Sequence, residues 1–214
     1  MNADDIARYL RTHPSFFDHH PELLESISVP HPYGGRAIPL AERQTVALRE
    51  KVKLLEGRLA ELLHFGEEND AISEKVHRLS VALTGAKDFP ALASALYFHL
   101  REDFAVPHVA LRVWGKSVPA DFDEAQPVDE AQRRVAGDLG GPQCGPAAGS
   151  PFAPWFREAA EHVRSVALVP LGQASVFGLL ALGSEDPKRF FPDMGTLYLR
   201  RIGELCAAGV TARL

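Results

Sequence analysis

The chain has 214 residues, a formal net charge of −5, 46% hydrophobic residues and 24% charged residues. That is the composition of a globular protein of one or two domains. No window approaches the ~18–20 consecutive apolar residues that span a bilayer, and the acidic start MNADDIARYLRTHP lacks a basic-then-apolar signal pattern, so a cytoplasmic location is expected.

The acidic balance, with a pI near 6.0, argues against nucleic acid as a partner, because a broad phosphate-binding surface needs clustered Lys and Arg. The two cysteines, Cys144 and Cys206, lie far apart and outside any CxxC pair, which fits a reducing compartment.

Residues 1–40 read as a helical lead-in. Ile6 and Leu10 are four apart and share a helix face. His13-Pro14 ends that helix, because the residue before proline is pushed out of the α region. Pro21 suits the first turn of a second short helix through Leu23, Leu24 and Ile27. VPHPYGG then reads as extended chain and turn. Phe16, Phe17 and the leucines are apolar enough to need a packing partner, and a second subunit is one candidate.

Sixteen prolines punctuate the chain, yet none lies between Pro39 and Pro90. Inside that gap Leu48, Val52, Leu55, Leu59 and Leu62 are spaced four, three, four, three, the seam of a coiled coil. Phe65, Asn69, Ile72, Val76, Leu79 and Leu83 repeat the spacing after a slip at Phe65–Gly66, which locally overwinds a supercoil. A helix over residues 41–83 would be ~65 Å long at 1.5 Å per residue. A leucine stripe of that length needs a second helix, and an identical chain in a homodimer is the simplest source. An amphipathic bundle within one chain is the alternative. Asn69 on the seam can fix register, or it can be a polar residue at a frayed junction.

Residues 84–214 read as α+β. Asp88 and Pro90 start a helix through Leu92, Leu96 and Leu100. PHVALRVWG is a strand with Val109, Leu111 and Val113 on one face. Residues 115–160 are rich in Pro and Gly, with a helix near 128–138. VRSVALVPL and VFGLLALGS form a hairpin across a short Gly-Gln-Ala-Ser connection, and both are apolar enough to be central strands. A last helix starts near Pro192-Asp193 and buries Met194, Leu197, Tyr198, Ile202 and Leu205. The expected architecture is an antiparallel sheet flanked by helices.

HPSFFDHHPELL, the helix beginning LAERQ, and ALVPLGQASVFGLLALGSEDPKRFFPDMGTLYLRRIGEL resemble a bacterial family, domain of unknown function 484, over nearly the whole chain. The resemblance implies a GAF-like fold, a sensory module with a central antiparallel sheet. Many such modules hold a small ligand over the sheet and dimerise through a long entering helix. The implied domains are a lead-in (1–40), a coiled-coil dimerisation helix (41–74) and a GAF-like domain (75–214). The cyclic-nucleotide signature of some GAF domains is missing. Gly183-Ser184 stands where Asn-Lys is expected, and Gly195-Thr196 stands where Asp-Glu is expected.

Candidate ligand-binding residues are His108, Arg112, Trp114, Cys144, Phe152, Trp155 and Phe156. Aromatics with a few polar groups line most small-molecule pockets, and they also fill cores. Arg112 can face solvent or an anionic ligand. Cys144 lies in GGPQCGPAAG, read as a loop near a pocket mouth, where a lowered thiol pKa would make it reactive. A small residue packed at a turn is the plainer reading of Cys144.

Candidate dimerisation residues are Leu48, Val52, Leu55, Leu59, Leu62, Asn69 and Ile72. His13, His19, His20 and His31 cluster in the lead-in without a zinc-like companion set, so capping and turn packing are expected rather than a metal. No nucleophile elbow, P-loop, GxGxxG or HExxH is present. The expected function is a non-enzymatic, homodimeric regulatory module without cofactor, binding a small molecule or a protein partner. The alternatives are a thiol enzyme using Cys144 and an adaptor without a pocket.

Overall fold

The computed structural model describes residues 2–30, 37–115, 118–119, 121–172 and 175–214. His31 with the turn expected after it, and Gln173-Ala174 of the hairpin connection, lie outside the described residues. The chain divides into two units, residues 1–67 and 68–214. Among the described residues, no helix is long and apolar enough to cross a membrane.

The first unit opens with α1 (Ala3–Thr12), α2 (Phe16–His19) and α3 (Pro21–Ser26). Asn2 and Asp5 form a reciprocal capping box, with side chain-to-backbone hydrogen bonds of 2.8 and 2.9 Å, which satisfies two orphan donors at the start of α1. The His13 ring stacks on Tyr9 at 4.2 Å, and Phe16 meets both Tyr9 and Phe17 edge to face. Two short antiparallel strands follow, β1 (Ser28–Pro30) and β2 (Ala37–Pro39).

Helix α4 (Leu40–Gly85) then runs for 46 residues, crossing the boundary between the units without a break at Gly57 or Gly66. At 1.5 Å per residue it is ~69 Å long. The slip at Phe65–Gly66 therefore does not interrupt the helix.

In the second unit, Asp88 caps α5 (Phe89–Glu102) by accepting from Ala91 N at 2.9 Å. Strand β3 (His108–Val113), α6 (Glu130–Gly137), β4 (Gln143–Pro146), β5 (Ser165–Leu171), β6 (Gly178–Ser184) and α7 (Leu197–Thr211) complete it. The sheet order is β3-β6-β5-β4 with every pair antiparallel, so the expected hairpin strands β5 and β6 are central. The fold class is thus α+β, a helix-flanked antiparallel sheet preceded by a long helix, as the sequence leads one to expect.

Two details differ from expectation. QCGP is an edge strand rather than a loop, because its backbone pairs with β5 from Gln143↔Leu168 to Pro146↔Ser165. The last helix begins at Leu197, whose side chain is exposed, and its buried stripe is Leu199, Ile202, Cys206 and Val210.

The two sheet faces are built from different residues. One carries Leu111, Val113, Ala167, Val169, Leu171, Leu180 and Leu182, which join α4, α5 and α7 in the main core. Gly203 allows α7 to approach β5 closely, since a Cβ there would lie 2.5 Å from Val169 Cγ1. The opposite face is lined by small residues, Ala110, Ala181 and Gly183, under Phe156 and Val163.

Arg213 closes the far end of α4. Its guanidinium donates to the carbonyls of Leu83 (2.8 Å), Thr84 (3.1 Å) and Ala86 (2.7 Å), occupying acceptors the helix itself leaves unpaired.

Candidate functional site

Strand alternation decides which β3 side chains meet the small-residue face. Val109, Leu111 and Val113 point into the main core, so His108, Ala110 and Arg112 point the other way. There they meet two 3-10 segments, Asp123–Ala125 and Ala153–Glu161. The second is kinked at Arg157, which sits at φ 54°, ψ −121°. A non-glycine residue in such a region costs of order 1–3 kcal/mol and persists only where its surroundings hold it. The Arg157 guanidinium pairs with Asp123.

These elements enclose a pocket of about 250 Å³. Its polar lining comprises Tyr97, Arg101, His108, Arg112, Asp123, Glu124 and Arg157, and its aromatic wall is Trp155 and Phe156. Arg112 is only 8% exposed. Among the described residues it makes one hydrogen bond, from Nη1 to the carbonyl of its neighbour Leu111 at 3.0 Å. The guanidinium lies over the Trp155 ring, 5.5 Å from the centroid. Burial pulls its pKa below the ordinary value, opposed by Tyr97, Asp123 and Glu124.

Glu124 is buried and accepts the Tyr97 hydroxyl at 2.6 Å. Burial first, and Glu124 second, push the Tyr97 pKa far up, so the phenol stays a donor. His108 Nε2 is buried and has no hydrogen-bond partner among the described residues. Glu185 Oε1, 3.6 Å away, is beyond hydrogen-bonding reach.

Of the sequence candidates, His108, Arg112, Trp155 and Phe156 therefore come together. Phe152 does not. It is fully buried against Trp155, Ala136, Leu139 and Leu179. Trp114 sits at the end of the strand, its indole donating to Val176 O at 3.0 Å. Cys144 is not at the mouth of this pocket. It pairs with Ala167 and packs with the main core, on the sheet face opposite Arg112. Burial raises its thiol pKa, and raises that of fully buried Cys206 to about 12.

Tyr97, Arg101, Asp123, Glu124 and Arg157 do not stand out in the sequence. The one usable signal is that Tyr97 and Arg101 are four apart on a helix and so share a face.

A larger groove of about 810 Å³ lies beside α7, lined by Gly140, Gly141, Phe177, Arg200 and Glu204 among others. Its charged side chains are exposed, whereas the smaller pocket holds the buried guanidinium of Arg112, and that makes the smaller pocket the stronger candidate site.

The described histidines of the lead-in, His13, His19 and His20, serve local contacts. His19 Nδ1 lies 2.9 Å from Ser15 O, and His20 Nδ1 lies 3.3 Å from Glu22. In the second unit His99 Nδ1 is 2.6 Å from Asp103, which also accepts from Arg78 at 3.0 Å. Among the described residues, no three His, Cys, Asp or Glu side chains gather where they could hold a metal ion.

The dimerisation candidates divide along α4. Leu48, Val52, Leu55, Leu59 and Leu62 are all exposed, with Leu48 at 62% and Leu62 at 66%. Ile72 is half-buried, and Asn69 is exposed with its carbonyl accepting from the Tyr198 hydroxyl at 3.1 Å. Leu79 and Leu83 continue the same spacing but are buried in the unit's own core, so they are not free to form a seam.

The family described as "Protein of unknown function, DUF484" matches residues 1–211. The "Uncharacterized protein YigA" of Salmonella typhimurium is 26% identical over 204 residues, covering 92% of this chain and 86% of that protein. Among solved structures the chain is similar to an A. aeolicus nlh2 GAF domain in an inactive state, with TM-score 0.49 and 16% identity, covering 68% of this chain and 99% of that one. It is also similar to the Stigmatella aurantiaca phytochrome photosensory core module, with TM-score 0.45 and 13% identity, covering 70% of this chain and 37% of that one.

Proposed function

The chain belongs to the DUF484 family, and we propose that it is a homodimeric, GAF-like regulatory module that catalyses no reaction itself. In this reading the second unit holds a small ligand on the small-residue face of its sheet. The first half of α4 pairs with the same helix of a second copy, through Leu48, Val52, Leu55, Leu59 and Leu62 and on toward Asn69 and Ile72.

The observation that carries the reading is the exposed stripe on α4. Five large apolar residues at heptad spacing face water, while the same helix buries Leu79 completely. A stripe of this spacing is self-complementary, since each residue at the seam fits the hole formed by four residues of an identical helix.

Cys144 supports a reading without thiol chemistry. A thiol whose pKa is raised by burial is a poor nucleophile, because the thiolate is the reacting species. Both cysteines are free, which supports a reducing, cytoplasmic setting.

Light scattering tests the assembly. The wild type is expected at about 47 kDa, twice the 23.4 kDa chain. The double variant Leu55→Glu, Leu59→Glu is expected at the monomer mass with its circular dichroism otherwise retained. A wild type that is monomeric at micromolar concentration overturns the proposal.

A further inference from the structure

We propose that the pocket between β3 and the two 3-10 segments binds a small monocarboxylate anion, anchored by the Arg112 guanidinium and oriented by the Trp155 ring. This rests on the reading of the second unit as a ligand-binding module and names the ligand's chemistry.

Arg112 is the starting point. A guanidinium carries five N–H donors and no acceptor. Here it is more than nine-tenths buried and, among the described residues, uses one donor, on its own strand. A buried charge is costly unless it is paired and hydrogen-bonded. Asp123 and Glu124 offset part of its charge, but their hydrogen bonds go elsewhere, Glu124 to the Tyr97 hydroxyl and Asp123 to Arg157. The fork of Arg112 is therefore left facing the pocket with donors to spare. A carboxylate accepts two parallel N–H bonds from such a fork.

Fork geometry and size narrow the class. Arg101 and Arg157 also line the pocket but are exposed and screened by water, so Arg112 is its buried cation, and the planar match of a carboxylate to the guanidinium fork sets the anion class. A volume of about 250 Å³ corresponds to about eight waters at ~30 Å³ each. That lies below the ~300–1,000 Å³ of drug-sized sites and suits a ligand of few atoms. His108, four residues before Arg112 on the same strand face, adds its imidazole ring to the lining.

The test uses the full chain with nitrogen-15 label, following the Arg112 Nε–H and Trp155 indole N–H resonances during titration with acetate, pyruvate and benzoate, and separately with inorganic phosphate. At least one carboxylate is expected to shift both resonances saturably. Arg112→Lys, which keeps the charge and loses the fork, is expected to weaken that binding by about tenfold or more. Arg200→Lys, in the open groove beside α7, is expected to leave it unchanged.

The inference is overturned if none of the three carboxylates shifts the Arg112 resonance saturably at tens of millimolar, if Arg112→Lys binds as well as wild type, or if phosphate binds more tightly than all three. Should Arg112→Lys fail to fold, the wild-type resonances decide alone. Light scattering on the same samples separates the two proposals. A dimer that binds no carboxylate sinks this inference and leaves the assembly standing, and a monomer that binds one does the reverse.

Discussion

One helix holds two heptad runs of the same spacing, and the start of the first and the end of the second have opposite surroundings. In the first half of α4, Leu48 through Leu62 face water. Seventeen residues beyond Leu62, Leu79 is sealed in a core with Leu92, Leu96, Ile202 and Val210. The repeat itself does not differ. What differs is whether the chain supplies helices to cover it. After Gly85, α5 and the final helix α7 bring apolar faces of their own, so the second run is satisfied within one chain. A heptad pattern therefore identifies a stripe that must be buried and leaves its partner open.

The contrast can be broken in order of expected size. Leu79→Ala removes a fully buried side chain and is expected to cost about 2–5 kcal/mol, read as a lower urea midpoint. Arg213→Ala, which strips the carbonyls of Leu83, Thr84 and Ala86 of their donor, is expected to cost about 1–3 kcal/mol and to speed amide exchange in the last turn of α4.

Tyr198→Phe removes the hydroxyl that donates to Asn69 O and lies 3.1 Å from Ser73 Oγ. It is expected to cost about 0.5–1.5 kcal/mol, with exchange quickening around Asn69–Ser73. Smallest is Leu55→Ala with Leu59→Ala. The unfolding transition followed through Trp114 and Trp155 is expected to move by less than about 0.5 kcal/mol, while the apparent dimer affinity falls. A shift as large as that of Leu79→Ala would mean that both halves of α4 are core in the same sense.

Periodicity made α4, α5 and β3 legible, because each carries a regular apolar stripe, and unbroken apolar runs made β5 and β6 legible as central strands. It failed at Gln143–Pro146, where four residues with two of Gly and Pro show no alternation, and only backbone pairing with β5 makes them a strand. The pocket was half legible. Alternation places Arg112 opposite Val113, but whether that face meets water or a cover depends on the segments 123–125 and 153–161. Short 3-10 stretches have no period long enough to read. The Tyr97–Glu124 bond joins residues 27 apart across such a segment, so no spacing rule points to it.

Gly183 carries a consequence for how sequences of this family can drift. A Cβ at 183 would stand 3.0 Å from Phe156 Cζ and 3.1 Å from Val163 Cγ1, so the absent side chain and the phenyl ring occupy one shared volume. A side chain at 183 requires Phe156 or Val163 to give way by a few tenths of an ångström. A relative with alanine or serine at 183 is expected to carry a smaller side chain at 156 or 163. Any lineage that enlarges the first without trimming the others is expected to lose the aromatic wall that shapes the pocket.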